Sequence, residues 1–268
     1  QKTGGENPVY VNVDNNGKWL VNATYNQATI SVFPLLDNGK IDSMVQHFKF
    51  TEGSGVNPKR QEKAHTHSVV FSPDSKTVLF ADLGADKILQ YPFDSTQKQP
   101  LIDNQSTFIN TKPGSGTRHI TFSKEGKLAY SIEELAGMIS VYDFSENKLK
   151  EIQRIATHPD KIKDGFESSD VHISPDGKFL YATNRGKENN IAVFKVLIDG
   201  KLESIGYQKT GGKHPRTFAI DETGKFIIVT NVNSNTVTVF RRNMETGMLK
   251  KVGKPVKISH PTCVKTKV

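Results

Sequence analysis

Two arginines and a glutamate, Arg118, Arg185 and Glu134, mark the stretch of this chain in which chemistry is most readable. R-H-I-T-F opens at Arg118, Glu134 follows sixteen positions later, and S-S-D-V-H-I-S-P-D-G-K-F-L-Y-A-T-N-R-G repeats the pattern from Ser168 to Gly186. A guanidinium presents a fixed fork of N–H donors that matches carboxylate or phosphate in two contacts, which a lysine cannot do. Glutamate and histidine can move a proton. An apolar repeat needs none of these residues at its strand ends, so together they point to acid–base work on a small anion. Taken singly, each is as well read as a solvated or turn-capping group, His172 as a hydrogen-bonded core histidine, and Arg216 as an ion-pair partner of Asp221.

The elements that must position these residues form a repeat. A turn followed by a lysine recurs at Lys18, Lys76, Lys127, Lys178 and Lys225, separated by 58, 51, 51 and 47 residues. Before it stands a first strand (V-Y-V-N-V, S-V-V-F-S, H-I-T-F-S, D-V-H-I-S, T-F-A-I-D). After it stands a more continuously apolar one (W-L-V-N-A, T-V-L-F-A, K-F-L-Y-A, F-I-I-V-T), which predicts a tight hairpin. A third strand rich in β-branched and aromatic residues and a weaker fourth complete each copy. One four-stranded sheet cannot cover both its faces alone, so a period near 50 predicts an all-β propeller. The expectation is five complete four-stranded repeats plus a closing strand near His260. No segment has the apolar spacing of a helical solenoid.

In a meander blade the first strand starts where the second ends, so both positions meet at one rim of the channel. Nine residues before each anchor lysine stand Val9, His67, Arg118, Ser169 and Arg216. Seven after it stand Tyr25, Leu83, Glu134, Arg185 and Val232, preceded by Thr24, Asp82, Glu133, Asn184 and Asn231. Asp170 and His172 lie on the fourth first strand. One mouth is then expected to hold three arginines, two or three histidines and two or more carboxylates. His65 and His67 alternate on a strand and could chelate, but no further ligands follow with firm spacing, so no metal and no cofactor are expected.

The 268 residues, 35% of them hydrophobic, suffice for a core in one domain spanning 1–268. The single cysteine, Cys263, excludes an internal disulfide and reads as a small core residue of the closing strand. No run of 18 apolar residues suggests a membrane span. A net charge of +8 favours anionic small molecules, while the lysines fall mostly in turns and outer strands and the aromatics on core positions, unlike a nucleic-acid surface. Two long loops, 50–64 and 157–169, precede first strands, and K-P-G-S-G-T at Lys112–Thr117 is a flexible turn or an amide-lined anion nest. Q-K-T-G-G occurs at Gln1 and again at Gln208, so the chain opens in the loop before a first strand. The expectation is that about two blades precede Gln1, where a signal peptide would also lie.

These residues resemble the bacterial 6-phosphogluconolactonase family of seven-bladed propeller lactonases, related to fungal carboxymuconate-lactonising enzymes. The likeness covers the whole chain through A-H-T-H-S-V-V-F-S-P-D, D-L-G-A-D-K-I, G-S-G-T-R-H-I-T-F, E-E-L-A-G-M-I-S-V-Y, S-D-V-H-I-S-P-D-G-K-F-L-Y-A-T-N-R-G, H-P-R-T-F-A-I-D and S-H-P-T-C-V. The resemblance implies hydrolysis of an anionic sugar-acid lactone in the cytoplasm. It matches His67, Arg118, Glu134 and Arg185 to the family's catalytic pattern, and His65, His172, Arg216 and Asn184 to substrate-binding positions. This chain departs from the family in its blade count and in Glu133, where Asn is usual; a second carboxylate there is expected to raise the pKa of one of the two. No Ser or Cys of the rim is placed beside a histidine by the sequence, which favours direct attack by water. Glu134 would be the base, His67 the acid or alternative base, and Arg118 and Arg185 the oxyanion and anion contacts. F-L-Y-A-T-N also resembles surface-layer propellers, so a binding module stays open, as does a muconate-type lactonising enzyme.

Overall fold

The computed structural model describes residues 1–266, which form five antiparallel four-stranded sheets. In chain order the first holds β1 (Pro8–Val13), β2 (Trp19–Thr24), β3 (Thr29–Pro34) and β4 (Gln46–Lys49). The second holds β5 (Thr66–Phe71), β6 (Thr77–Asp82), β7 (Lys87–Pro92) and β8 (Thr107–Asn110). The third holds β9 (Thr117–Phe122), β10 (Leu128–Glu133), β11 (Met138–Asp143) and β12 (Lys150–Ala156). The fourth holds β13 (Ser168–Ile173), β14 (Phe179–Asn184), β15 (Asn190–Val196) and β16 (Leu202–Lys209), and the fifth β17 (Pro215–Ile220), β18 (Phe226–Asn231), β19 (Thr236–Arg242) and β20 (Leu249–Lys257). Each sheet is a meander in sequence order, as the repeat predicts. The chain divides into two compact units, Gln1–Ile120 and the part from Thr121 onward, with the boundary inside β9. No helix among the described residues is long and apolar enough to cross a membrane.

Every second strand starts on the residue after its anchor lysine. The S-P-D turns explain why: Ser174 Oγ bonds to Asp176, Asp176 accepts the Lys178 N–H (3.2 Å), and Phe179 N–H donates to Ser174 Oγ (3.1 Å). Ser72, Asp74 and Lys76 repeat this network in the second sheet. These side chains satisfy the turn's backbone groups and fix the hairpin register. Burial then falls from the second strand of each meander to the fourth. The second strands β6 and β14 are buried at every position, whereas β20 is exposed at seven of nine, which is why the former read as continuous apolar runs.

Cores form between sheets. In the first unit Val21, Ile30, Val69, Phe80 and Leu101 belong to one buried cluster. In the second unit Tyr130, Val141, Leu180 and Phe194 form another, and Tyr181, Val193, Phe218 and Val229 a third. Polar staples recur over these cores. Tyr130 and Tyr181 donate their hydroxyls to the carbonyls of Gly200 (3.1 Å) and Gly247 (2.7 Å) in the next sheet, and Trp19 Nε1 donates to Ser95 O (3.0 Å). Gln46 and Gln153 each pair twice with the backbone of a leucine in the next sheet, Leu101 and Leu202. Both glycines have positive φ, and a Cβ on Gly247 would lie 2.3 Å from the Phe179 ring, so the close approach admits no side chain.

Four of the first strands carry the same irregularity. Pairing skips one residue between Pro8 and Tyr10, Thr66 and Ser68, and Pro215 and Thr217, and two residues between Ser168 and Val171. Such β-bulges re-aim side chains. The bulged residues include Val9, His67, Ser169 and Arg216, the positions nine before the lysine.

Two expectations are corrected here. The segment around His260, expected as a closing strand, belongs to no sheet, because a strand exists only through its ladder partner and none among the described residues pairs with it. Cys263 is accordingly exposed and not a core residue. The glycine turn at Lys112–Thr117 does cradle an anion, and the anion is the protein's own: Gly114 N–H and Gly116 N–H donate to the two oxygens of Asp86 (2.7 and 2.8 Å).

Candidate functional site

In four sheets the residue seven after the lysine donates its N–H to the carbonyl eleven before it. The bonds are Tyr25 to Asn7, Leu83 to His65, Arg185 to Glu167 and Val232 to His214, all 2.9–3.1 Å. The start of each first strand is thereby tied to the end of the second, which is the geometry a shared rim requires.

In the second unit this places Glu134 and Arg185 together. Arg185 Nη2 lies 2.9 Å from Glu134 Oε2, and both side chains are almost fully buried. Arg185 Nε donates to Glu167 O and Nη2 to Ser168 O, each at 3.2 Å, so the guanidinium is held by one carboxylate and two main-chain oxygens. Ser168 N–H in turn donates to Glu134 O (3.2 Å). A buried, fixed acid–guanidinium pair can hold a carbonyl or an anion without reorganising.

Glu133, the residue before Glu134, is bound within its own sheet. It is fully buried, accepts from Arg154 Nε on both oxygens (3.1 Å each) and from Nη2 (2.6 Å), and accepts from Ser140 Oγ (2.8 Å). Its hydrogen bonds push the Arg154 guanidinium up from its usual value. The carboxylate of Glu133 is thus paired with Arg154 inside the third sheet.

Asn184 is also internal: its amide donates to Thr157 O (2.7 Å) and Asn190 Oδ1 (2.9 Å), and its oxygen accepts from Ser168 Oγ (2.8 Å). The same serine lies 3.3 Å from His158 Nε2, and His158 Nδ1 contacts the Glu188 carboxylate. Sequence reading missed this Ser–His–Glu chain, because its members sit in the 157–169 loop and after β14, without a motif spacing. It places a serine beside a histidine, but without opening a covalent route. The hydroxyl of Ser168 is fully buried and already shared with Asn184 and Thr157 (2.9 Å), so it is not presented to a substrate.

Farther along the same unit, Asp170 accepts the Phe218 N–H (3.0 Å) and lies 3.1 Å from His172 Nε2, whose ring meets Phe218 edge-on at 4.7 Å. Asp170 thus joins β13 to β17 and orients His172, which stays half-buried, as does Arg216 on its bulge.

In the first unit three histidines, His65, His67 and His119, form one aromatic cluster with Tyr25 and Tyr10. His65 stacks on Tyr25 at 4.3 Å, and its ring nitrogens face Tyr25 O (2.9 Å) and Glu62 (3.2 Å). His67 meets the edges of Tyr25 (5.7 Å) and His119 (5.2 Å), and His119 that of Tyr10 (5.2 Å). Arg118 is only 1% exposed, and its Nη1 lies 2.9 Å from His119 Nε2. The guanidinium also lies 3.4 Å from Nδ1 of the same ring, so His119 is a neighbour that packs on Arg118, a contact the sequence did not single out. No group of three or more His, Cys, Asp or Glu suited to a metal occurs among the described residues.

Repeated four-stranded meanders, each a turn-anchored hairpin followed by two further strands, define a β-propeller protein. The chain belongs to the lactonase family of seven-bladed β-propellers, which matches residues 1–266. It is 40% identical over 254 residues to a 6-phosphogluconolactonase of Formosa agariphila, covering 94% of this chain and 71% of that protein. It is 33% identical over 268 residues to the 6-phosphogluconolactonase of Bacillus subtilis, covering 99% and 74%. The structure of the periplasmic gluconolactonase of Pseudomonas aeruginosa superposes with a TM-score of 0.91 at 33% identity, covering 98% of this chain and 74% of that one. The chain therefore spans about three quarters of the length of these relatives.

Proposed function

We propose that this protein hydrolyses the lactone of a sugar acid, 6-phosphogluconolactone to 6-phosphogluconate, by direct attack of water. The carrying observation is the buried Glu134–Arg185 pair, at 2.9 Å, fixed to the backbone on the arginine side. Family membership and relatives named 6-phosphogluconolactonase support the same substrate class.

Water adds to the ring carbonyl, the ring C–O bond breaks, and the leaving oxygen needs a proton. Glu134, a carboxylate beside a guanidinium, takes the proton of the attacking water. Arg185 steadies the oxyanion that develops. We assign the leaving-group proton to His67 and the substrate's anionic group to Arg118, with His65, His172 and Arg216 as further substrate contacts. These assignments rest on strand position and the family pattern, and each is tested by its own variant. Asn184 holds Ser168 from within and is assigned a positioning role.

The experiment is a direct assay of acid release from 6-phosphogluconolactone and from unphosphorylated gluconolactone. The reading predicts turnover on both rings with the higher kcat/KM for the phosphorylated one. No acid release above the spontaneous rate from either would refute it.

A further inference from the structure

The centre of the second unit's cluster is Ser168, and all three of its polar groups are committed. Its N–H donates to Glu134 O (3.2 Å), its carbonyl accepts from Arg185 Nη2 (3.2 Å), and its hydroxyl lies 3.3 Å from His158 Nε2. Behind His158 stands Glu188, whose own N–H donates to Arg185 O (3.2 Å), which closes a ring of contacts around the arginine. We infer that Glu188, His158 and Ser168 are positioning residues of the Glu134–Arg185 pair, and that protonation of His158 releases Arg185 from its productive orientation. The inference rests on the lactonase reading for its catalytic meaning, and on geometry alone for the coupling.

The coupling follows from hydrogen-bond valence. Ser168 Oγ has one hydrogen and stands within reach of three acceptors: Asn184 Oδ1 (2.8 Å), Thr157 Oγ1 (2.9 Å) and His158 Nε2. With His158 neutral and its Nδ1–H on Glu188, Nε2 is an acceptor and the serine hydrogen can be shared among the three. A proton on Nε2 turns that nitrogen into a donor to the hydroxyl, and a charge-assisted bond is shorter than the 3.3 Å contact, so closing it draws on Ser168, whose main chain holds both Arg185 and Glu134. Burial is the larger influence on His158 and holds it below its usual 6.5, against the opposing pull of Glu188. The groups facing this pair are few: Phe166 lies on the imidazole at 4.7 Å, Lys209 Nζ donates to Glu188 O (2.7 Å), and Asn190 reaches Glu188 Oε1 (3.4 Å). The Tyr207 phenol is pushed up, first by burial and then by the charges of Glu188 and Asp160.

The test is a pH titration followed by the ¹⁵N shift of Arg185 Nε and by the ring signals of His158, in the wild type, Ser168→Ala and Glu188→Gln, with Arg185→Lys used only to assign the signal. The expected result in the wild type is a step at Arg185 with the same midpoint as His158, below pH 6.5. Ser168→Ala keeps the main-chain contacts and should lose the Arg185 step while the His158 step persists. Glu188→Gln removes a negative neighbour and should move both midpoints to lower pH, or, should that variant not fold, the first two proteins decide alone. An Arg185 signal that ignores the His158 titration, or that still steps in Ser168→Ala, overturns the inference. A parallel profile of lactone kcat/KM should show an acid limb at the same pH. Absence of any wild-type turnover would remove the lactonase reading and leave the coupling between His158 and Arg185 decided by the titration.

Discussion

A lysine in place of Arg185 keeps the charge and loses the fork that meets Glu134, Glu167 O and Ser168 O at once. Charge-assisted hydrogen bonds contribute about 1.5–3 kcal/mol each. Arg185→Lys should therefore lower kcat/KM by roughly 10- to 100-fold, measured by initial rates on the lactone; an unchanged value would remove Arg185 from the site. A second single-residue expectation concerns Ser75, which sits at φ 54° where the equivalent turn of the fourth sheet has Gly177 at φ 69°. Ser75→Gly relieves a left-handed backbone that L-residues adopt at a cost of about 1–2 kcal/mol, offset in part by the extra freedom of glycine when unfolded. It should raise the denaturant midpoint slightly, and a lower midpoint would contradict the turn assignment.

Sheets are where the sequence was most legible. The anchor lysines placed the starts of the second strands to within a residue, and counting from them reached His67, Arg216 and Ser169, the residues on which the bulges fall. Contacts between segments far apart in sequence were not legible. Asp86 fills the glycine turn at Lys112–Thr117, and His158 reaches Ser168 from the loop, because neither pairing leaves a spacing signature. The His260 segment misled for a related reason: its composition is that of a strand, but a ladder needs a partner. At this scale Gly247 is the sharpest test, since its φ of 73° and the 2.3 Å approach to Phe179 both exclude a Cβ. Gly247→Ala should destabilise by about 2–5 kcal/mol, the sum of backbone and overpacking penalties, seen as a fall in the denaturant midpoint at unchanged slope. A shift under about 0.5 kcal/mol, the size of an ordinary surface substitution, would mean that the sheets can separate there.

For the whole molecule, acid should act in two stages. His158 is held below 6.5 chiefly by burial, so below pH 6.5 the unfolded chain binds the proton that the folded chain refuses. Stability therefore rises with pH in that window and is complete above it. Asp176 gives the second stage. Burial opposes its ionisation, but Arg242 and Ser174 outweigh it and hold the carboxyl below 3.8, so its contribution is present above 3.8 and lost as pH falls through the folded value. Thermal midpoints recorded from pH 7 to pH 3 should fall in both windows, and a His158→Gln variant should lose the first. A wild-type midpoint constant between pH 6.5 and pH 5 would contradict the buried, neutral histidine.

Above all, Glu134 is held to activate water for lactone opening, and the direct measurement is kcat of Glu134→Gln on 6-phosphogluconolactone beside the wild type. Glutamine keeps the shape and can still meet Arg185, but it cannot take a proton. General-base catalysis contributes about 10²- to 10⁴-fold, so kcat should fall by that factor with KM changed far less and the thermal midpoint retained. A Glu134→Gln enzyme that opens the lactone at the wild-type rate would contradict this role.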